Sequence, residues 1–274
     1  MARVFSNLLR LLLCSMPSPA NVLALFAHPD DAEFLCAGTL AHLAERGASV
    51  HIVTMTAGDC GSAILPPEKI TRVRKSEATR AAELIRAAYA CLGERDLSIF
   101  YDQRTLGKVM ALVRRASPAL VLTHSPIDYM ADHETTSRLV QTACFGATAP
   151  NYRVRFRGGA AKPLARIPRL YYAAPFGGRD ILGNEIRSSL FVDITATLAR
   201  KEEMLACHES QQAWLRAQQG ISDNAGIVRE MAERAGRLSG FRWAEGFRQH
   251  LGQGFPQDNL LGALLGGMAR DVRC

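Results

Sequence analysis

The chain alternates short, wholly apolar runs with stretches of helical periodicity, and that alternation predicts its architecture. Val22 to Ala27 is apolar throughout and bounded by Pro19 and by His28-Pro29, the pattern of a buried parallel strand rather than a helix. Leu35, Leu40 and Leu43 then recur at helical spacing up to Gly47, a C-terminal stop. The β-branched run from Val50 to Thr56 closes a strand-helix-strand unit, whose crossover is expected to be right-handed. Beyond it the pattern predicts a long helix over 67–92, a strand over 97–101, a helix over 105–116 and an apolar strand over 119–123. Past Pro150, glycines and prolines punctuate a loop-rich lid or sheet extension with strands near 170–173 and 190–194. Helices are expected over 196–219 and 222–238. The class is α/β: a mostly parallel sheet between two helical layers, with extra C-terminal helices. Residues 21–274 are expected to form a single domain behind a poorly ordered extension, 1–20.

Composition supports a globular chain, with 48% hydrophobic and 22% charged residues among 274. The net charge of +7 is unevenly placed, because no acid falls between Glu134 and Asp180 while Arg138, Arg153, Arg155, Arg157, Lys162, Arg166, Arg169 and Arg179 do. Such a stretch serves either as a solvated basic loop or as an attractor of anionic substrate. No zinc-finger, RNP or basic-helix pattern accompanies it, so nucleic acid is not expected as a partner. The seven cysteines form no CxxC pair, which argues for reduced thiols over a disulfide framework or thiolate metal site. The N-terminal apolar stretch is split by Arg10 and too short to span a bilayer. Stable membrane insertion is therefore not expected, and a cytoplasmic location is favoured over export.

Candidate chemistry sits directly after two of the apolar strands, where open α/β sheets bind ligands. One strand runs into His28-Pro29-Asp30-Asp31; the other leads through His124 and Asp128 to Asp132-His133. Catalytic zinc takes three His or carboxylate ligands and keeps one position open, and it lowers the pKa of bound water to about 7. His28, Asp31 and His133 fit that requirement, which leaves Asp30 to act as base. Iron or cobalt would satisfy the same ligands. A purely structural use of Asp30 as the N-cap of the following helix competes with this reading. Gly58 to Ser62 reads as a tight loop at a strand end, not as a phosphate cradle.

These residues, with Arg74-Lys75-Ser76-Glu77-Ala78, Asp128-Tyr129, Lys201 and His208-Glu209-Ser210-Gln211, resemble the PIG-L (LmbE-like) deacetylases over about residues 22–251. The resemblance implies a Rossmann-like fold and zinc-dependent removal of an N-acetyl group from a glucosamine-type sugar. It further implies that Asp132 orients a ligand histidine and that Arg74, Asp96 and Tyr129 face the substrate. Many members carry a histidine where this chain has Met130, and a thioether can neither stabilise an oxyanion nor protonate an amine. His208 is the first candidate to replace it as a second catalytic group, followed by Tyr129 and His124. An amidase for a larger N-acyl or thiol-conjugate substrate, and a non-catalytic glycan-binding module, are the alternatives. The expected partner is a small amino-sugar substrate, and a homo-oligomer is compatible with the sequence.

Overall fold

The computed structural model describes residues 20–156, 159–220 and 223–272. The expected N-terminal extension therefore lies, but for Ala20, outside the described residues.

The chain opens with β1 (Asn21–Phe26), α1 (Asp31–Glu45), β2 (Ser49–Thr56), α2 (Pro67–Glu83) and β3 (Ala88–Glu94). It continues through α3 (Gln103–Ala116), β4 (Leu120–Thr123) and α4 (Ala131–Gly146) to a small hairpin, β5 (Arg155–Phe156) with β6 (Gly159–Ala160). β7 (Arg169–Ala173), β8 (Leu190–Asp193), α5 (Leu198–Ala206), α6 (Glu209–Gln219) and α7 (Asn224–Ser239) follow. The described chain ends with β9 (Ala244–Gln249), α8 (Leu260–Leu265) and β10 (Ala269–Asp271). Eight strands make one sheet in the order β10-β8-β9-β7-β4-β1-β2-β3. From β3 to β7 all neighbours are parallel, whereas β9 runs antiparallel to β7 and β8, and β10 to β8. The expected α/β class with a mostly parallel sheet is what forms.

β1 explains why its sequence is apolar without alternation. Val22, Ala24 and Phe26 pack on one face with α1 residues such as Leu40 and Leu43, while Leu23 and Leu25 pack on the other with Val109, Val113 and Leu139 of α3 and α4. A strand covered on both faces must be apolar at every position. α1 stops where the glycine predicted, since Gly47 takes φ +85° and Ala48 N–H returns to the Leu43 carbonyl at 3.0 Å.

Three expectations about local structure need correction. The helix expected over 67–92 ends at Glu83, and the alanine-rich residues after it form β3 on the open edge of β2. Helix propensity there yields to strand pairing. The strand expected over 97–101 is a loop: Leu97 sits at φ +61°, and its N–H goes to the Asp132 carboxylate at 2.7 Å instead of to a neighbouring strand. The helix expected over 196–219 is split at Cys207-His208, because Ser210 gives its N–H and hydroxyl to Glu77 at 2.9 and 2.6 Å and fixes a new helix start. β9, α8 and β10 have no counterpart in the expected elements.

The C-terminal half is tied into α1 by a buried ion pair. Lys201 on α5 contacts Glu245 on β9 at 2.6 Å and donates to the Phe34 carbonyl at 2.8 Å. Glu245 accepts the N–H groups of Gly38 and Thr39 at 3.0 and 2.8 Å. Gly38 admits this close approach, because a Cβ there would stand 2.7 Å from Ile194.

Candidate active site

β1 and β4 are adjacent and parallel, α1 and α4 leave them toward opposite faces, and the crevice between their carboxyl ends is the topological switch point of the sheet. The turn after β1 delivers His28, Asp30 and Asp31, and the loop after β4 delivers His124, Asp128, Asp132 and His133. His28 Nδ1 lies 3.4 Å from one Asp31 oxygen and His133 Nε2 lies 3.5 Å from the other. A tetrahedral ion with bonds of about 2.1 Å requires ligand separations of about 3.4 Å, so the three side chains can hold a metal.

Each imidazole is fixed from behind by a carboxylate. His28 Nε2 donates to Asp132 at 3.1 Å, and His133 Nδ1 donates to Asp128 at 2.9 Å. Such partners set the tautomer and aim the other ring nitrogen at the ion. Burial alone would lower the pKa of His28, but Asp132 and Asp31 outweigh it and push it up to about 10: the pocket is built for positive charge. Asp31 is held well below the usual carboxylate range, because His133, His124 and His28 together overcome its burial. A second cluster, His124 with Asp128 and His133, is also close-set, but His124 and Asp128 are 0% and 1% exposed and offer no open side. His124 stacks on His133 with ring centroids 3.9 Å apart, and burial lowers its pKa to about 4. A third group, Asp59, Cys60 and Asp96, already gives carboxylate oxygens to the N–H groups of Cys60 and Asp96.

Asp30 does not cap α1. It adopts φ +95°, a conformation that is unusual and strained for a residue other than glycine, and its side chain makes no cap hydrogen bond. The carboxylate instead stands 3.5 Å from the guanidinium of buried Arg74, which donates to the Pro29 carbonyl at 2.7 Å. Burial pushes Asp30 up to about 6 against the pull of Arg74. Arg74 reaches this position over Gly58, where φ is +72° and a Cβ would lie 2.0 Å from the guanidinium. Gly58→Ala is expected to destabilise the fold by about 2–5 kcal/mol, the left-handed backbone costing about 1–2 and the overpacking about 1–3. The midpoint of urea unfolding checks this; an unchanged midpoint would mean that Arg74 swings aside freely.

The donor triad opens into a cleft of about 490 Å³ that Asp30, Arg74, Asp96, Tyr129 and Met130 also line. Sequence reasoning missed the far wall, formed by Phe176, Gln211, Trp214, Leu215, Asn224 and Ile227. The spacing of Gln211, Trp214 and Leu215, three and four apart on α6, was the available signal. Arg74 Nε, Asp96 Oδ1, Gln211 Oε1 and Asn224 Oδ1 are buried atoms of residues lining the cleft that have no hydrogen-bond partner among the described residues. His208 is different: it is 1% exposed, faces Glu33 at 3.4 Å and forms no part of the cleft wall. It therefore has no direct path to a bound substrate, although its sequence segment reaches the cleft through Gln211. Among its described residues, the arginine-rich stretch contributes Phe176 but no basic side chain to the cleft. Its Arg169 pairs with Asp258 at 2.7 Å.

Among the described residues, no helix is long and apolar enough to cross a membrane. The five described cysteines, Cys36, Cys60, Cys91, Cys144 and Cys207, are unbridged. Residues 23–144 match the family model PIG-L, described as GlcNAc-PI de-N-acetylase. Among curated proteins, 4-oxalmesaconate hydratase of Pseudomonas putida is 27% identical over 200 residues, covering 70% of this chain and 74% of the relative. Diacetylchitobiose deacetylase of Thermococcus kodakarensis is 26% identical, covering 89% of this chain and 90% of its own. In fold, the chain is similar to N,N'-diacetylchitobiose deacetylase from Pyrococcus horikoshii, with a TM-score of 0.70 at 23% identity, over 95% of this chain and 97% of that one. The motif-bearing loops lie on the two strands that this family model spans, and over those residues the chain is similar to the PIG-L (LmbE-like) family, with relatives matched well beyond them.

Proposed function

We propose that the chain is a metal-dependent N-deacetylase acting on an N-acetylated glucosamine-type sugar or its glycoside, with His28, Asp31 and His133 as ligands of zinc, or of iron or cobalt in its place. A divalent ion held there would polarise the amide carbonyl and acidify a water molecule. Asp30, bordering the same cleft and kept basic by burial, takes the proton from the attacking water. Tyr129 borders the cleft edge-on to His133, with ring centroids 5.2 Å apart; it is 52% exposed, and partial burial with Asp31 and Asp128 close by raises its pKa. It thus stays a hydroxyl donor and stands in for the histidine absent at Met130, donating to the oxygen that gains charge. His208 acts behind Glu33 as a positioning residue. Asp132 and Asp128 hold the ligand imidazoles.

The observation that carries this reading is the set of unpartnered atoms in the cleft wall. Three are acceptors, on Asp96, Gln211 and Asn224, and one is a donor on Arg74. Sugar hydroxyls complement such a set, since each can donate. A second reading, addition of water to an unsaturated carboxylate, is favoured by the similarity to the Pseudomonas putida hydratase. Both reactions need an activated water. Among the described residues Arg74 is the one Lys or Arg that lines the cleft, against Asp30, Asp31 and Asp96, which disfavours a polycarboxylate.

The test is to measure bound metal and follow primary-amine release from a panel of N-acetylglucosamine derivatives, with and without chelator. Chelator-sensitive amine release is the expected result. Silence across the panel with metal bound would sink the deacetylase reading, and chelator-sensitive hydration of an oxo-dienoate would establish the second.

A further inference from the structure

A second cavity of about 300 Å³ adjoins the cleft and shares Phe34, Leu35, Phe176 and Ile227 with it. Its remaining walls are mainly apolar: Ile186, Phe191, Met231, Ala235 and Leu238 contribute from the 174–189 loop, β8 and α7. Of the charged groups at its margins, Glu230 is exposed to solvent, and the other four pair with one another. Lys201 and Glu245 pair at 2.6 Å, and Arg234 pairs with Glu185 at 3.0 Å while donating to the Gly177 carbonyl. Neither pair needs a ligand, in contrast to the unpartnered polar atoms of the cleft. Phe34 and Phe176 meet edge to face on the shared boundary, with ring centroids 5.8 Å apart. Phe176 stands on a turn whose Gly177 and Gly178 take φ +68° and +64°.

We infer that this side cavity is a specificity subsite for an alkyl or aryl group carried by the substrate whose polar end occupies the cleft. The inference rests on the proposed deacetylase reading for its kinetic consequence, but not for binding itself. A polar wall with open hydrogen-bond positions, followed across two aromatic rings by an apolar chamber with none, suits an amphiphile. Lengthening the apolar group removes more surface from water without asking for new polar contacts. The apolar group is either the N-acyl chain or the aglycone, and the two are separated by experiment.

Two substrate series decide it: methyl glycosides with N-acyl chains of two to eight carbons, and N-acetylglucosaminides with methyl to octyl or phenyl aglycones. In one series kcat/KM is expected to rise at least about tenfold with chain length, which identifies the occupant. Ala235→Trp, which fills the side cavity and leaves the cleft untouched, is expected to abolish that rise while keeping the rate on the shortest member. Met231→Lys serves as a second variant, and thermal melting verifies that both fold. Octyl β-D-glucoside, which has no amide, provides a hydrolysis-independent arm by calorimetry, with glucose as control. Binding to the parent but not to Ala235→Trp, in a protein that releases no amine, would sink the deacetylase reading and leave the subsite standing. Measurable turnover that stays flat with chain length in both series, or equal octyl glucoside binding by parent and variant, would overturn the subsite.

Discussion

Asp30→Asn is expected to lower kcat by about 10²–10⁴, the usual contribution of a positioned general base, while bound metal stays at the parental level. The amide has the shape of the carboxylate and can keep the contact toward Arg74, but it has no basic oxygen with which to take a proton from water. The strained φ of +95° gives this prediction its edge. An ordinary helix cap would sit in extended backbone and bond an α1 N–H, and replacing it would change stability rather than turnover. Metal content, melting temperature and steady-state rates on one substrate separate these outcomes. A variant with parental kcat would remove Asp30 from its role.

His28→Ala is expected to abolish both stoichiometric metal binding and turnover. Loss of an orienting partner alone costs metal sites about 10–100-fold, and loss of a ligand nitrogen should exceed that. His28 is the informative choice because it belongs to the open cluster with Asp31 and His133 and not to the closed one formed by His124, Asp128 and His133. Elemental analysis after dialysis reads the result. Parental metal content in this variant would move the ion to the closed cluster and with it the proposed chemistry.

What the sequence disclosed followed from where apolar runs end. Val22 to Ala27 and the run ending at Thr123 could be read as strands buried on both faces, so the polar residues after them stood out as neighbours in a crevice. The structure brings His28, Asp31 and His133 together there. Asp128 as the partner of His133 could not be read in the same way, because an i, i+5 pair across a loop and a helix start has no periodic signature. The cleft's far wall was hidden for a different reason. Gln211 and Asn224 belong to helices whose placement depends on Glu77 capturing Ser210, a contact between residues 133 apart in the chain. His208 drew attention as a lone imidazole in a motif, yet only packing could tell that it faces Glu33 and not the cleft. The β3 residues were misassigned because alanine and leucine favour helix locally, while the open edge of β2 is a long-range feature.

The buried Lys201–Glu245 pair also bears on how the molecule could be divided. All three candidate metal ligands and Asp30 fall within residues 23–144, the span of the family match, so that segment looks self-sufficient on paper. Yet the helix that starts at Asp31 carries N–H groups and a carbonyl that close onto Glu245 and Lys201, a hundred and more residues further on. A chain truncated after α4 would lose both partners at once, along with β7, the strand that covers the outer edge of β4. Its candidate site would keep every proposed ligand and lose its mechanical support, which makes the C-terminal half a splint for the turn after β1 as well as a wall of the cleft.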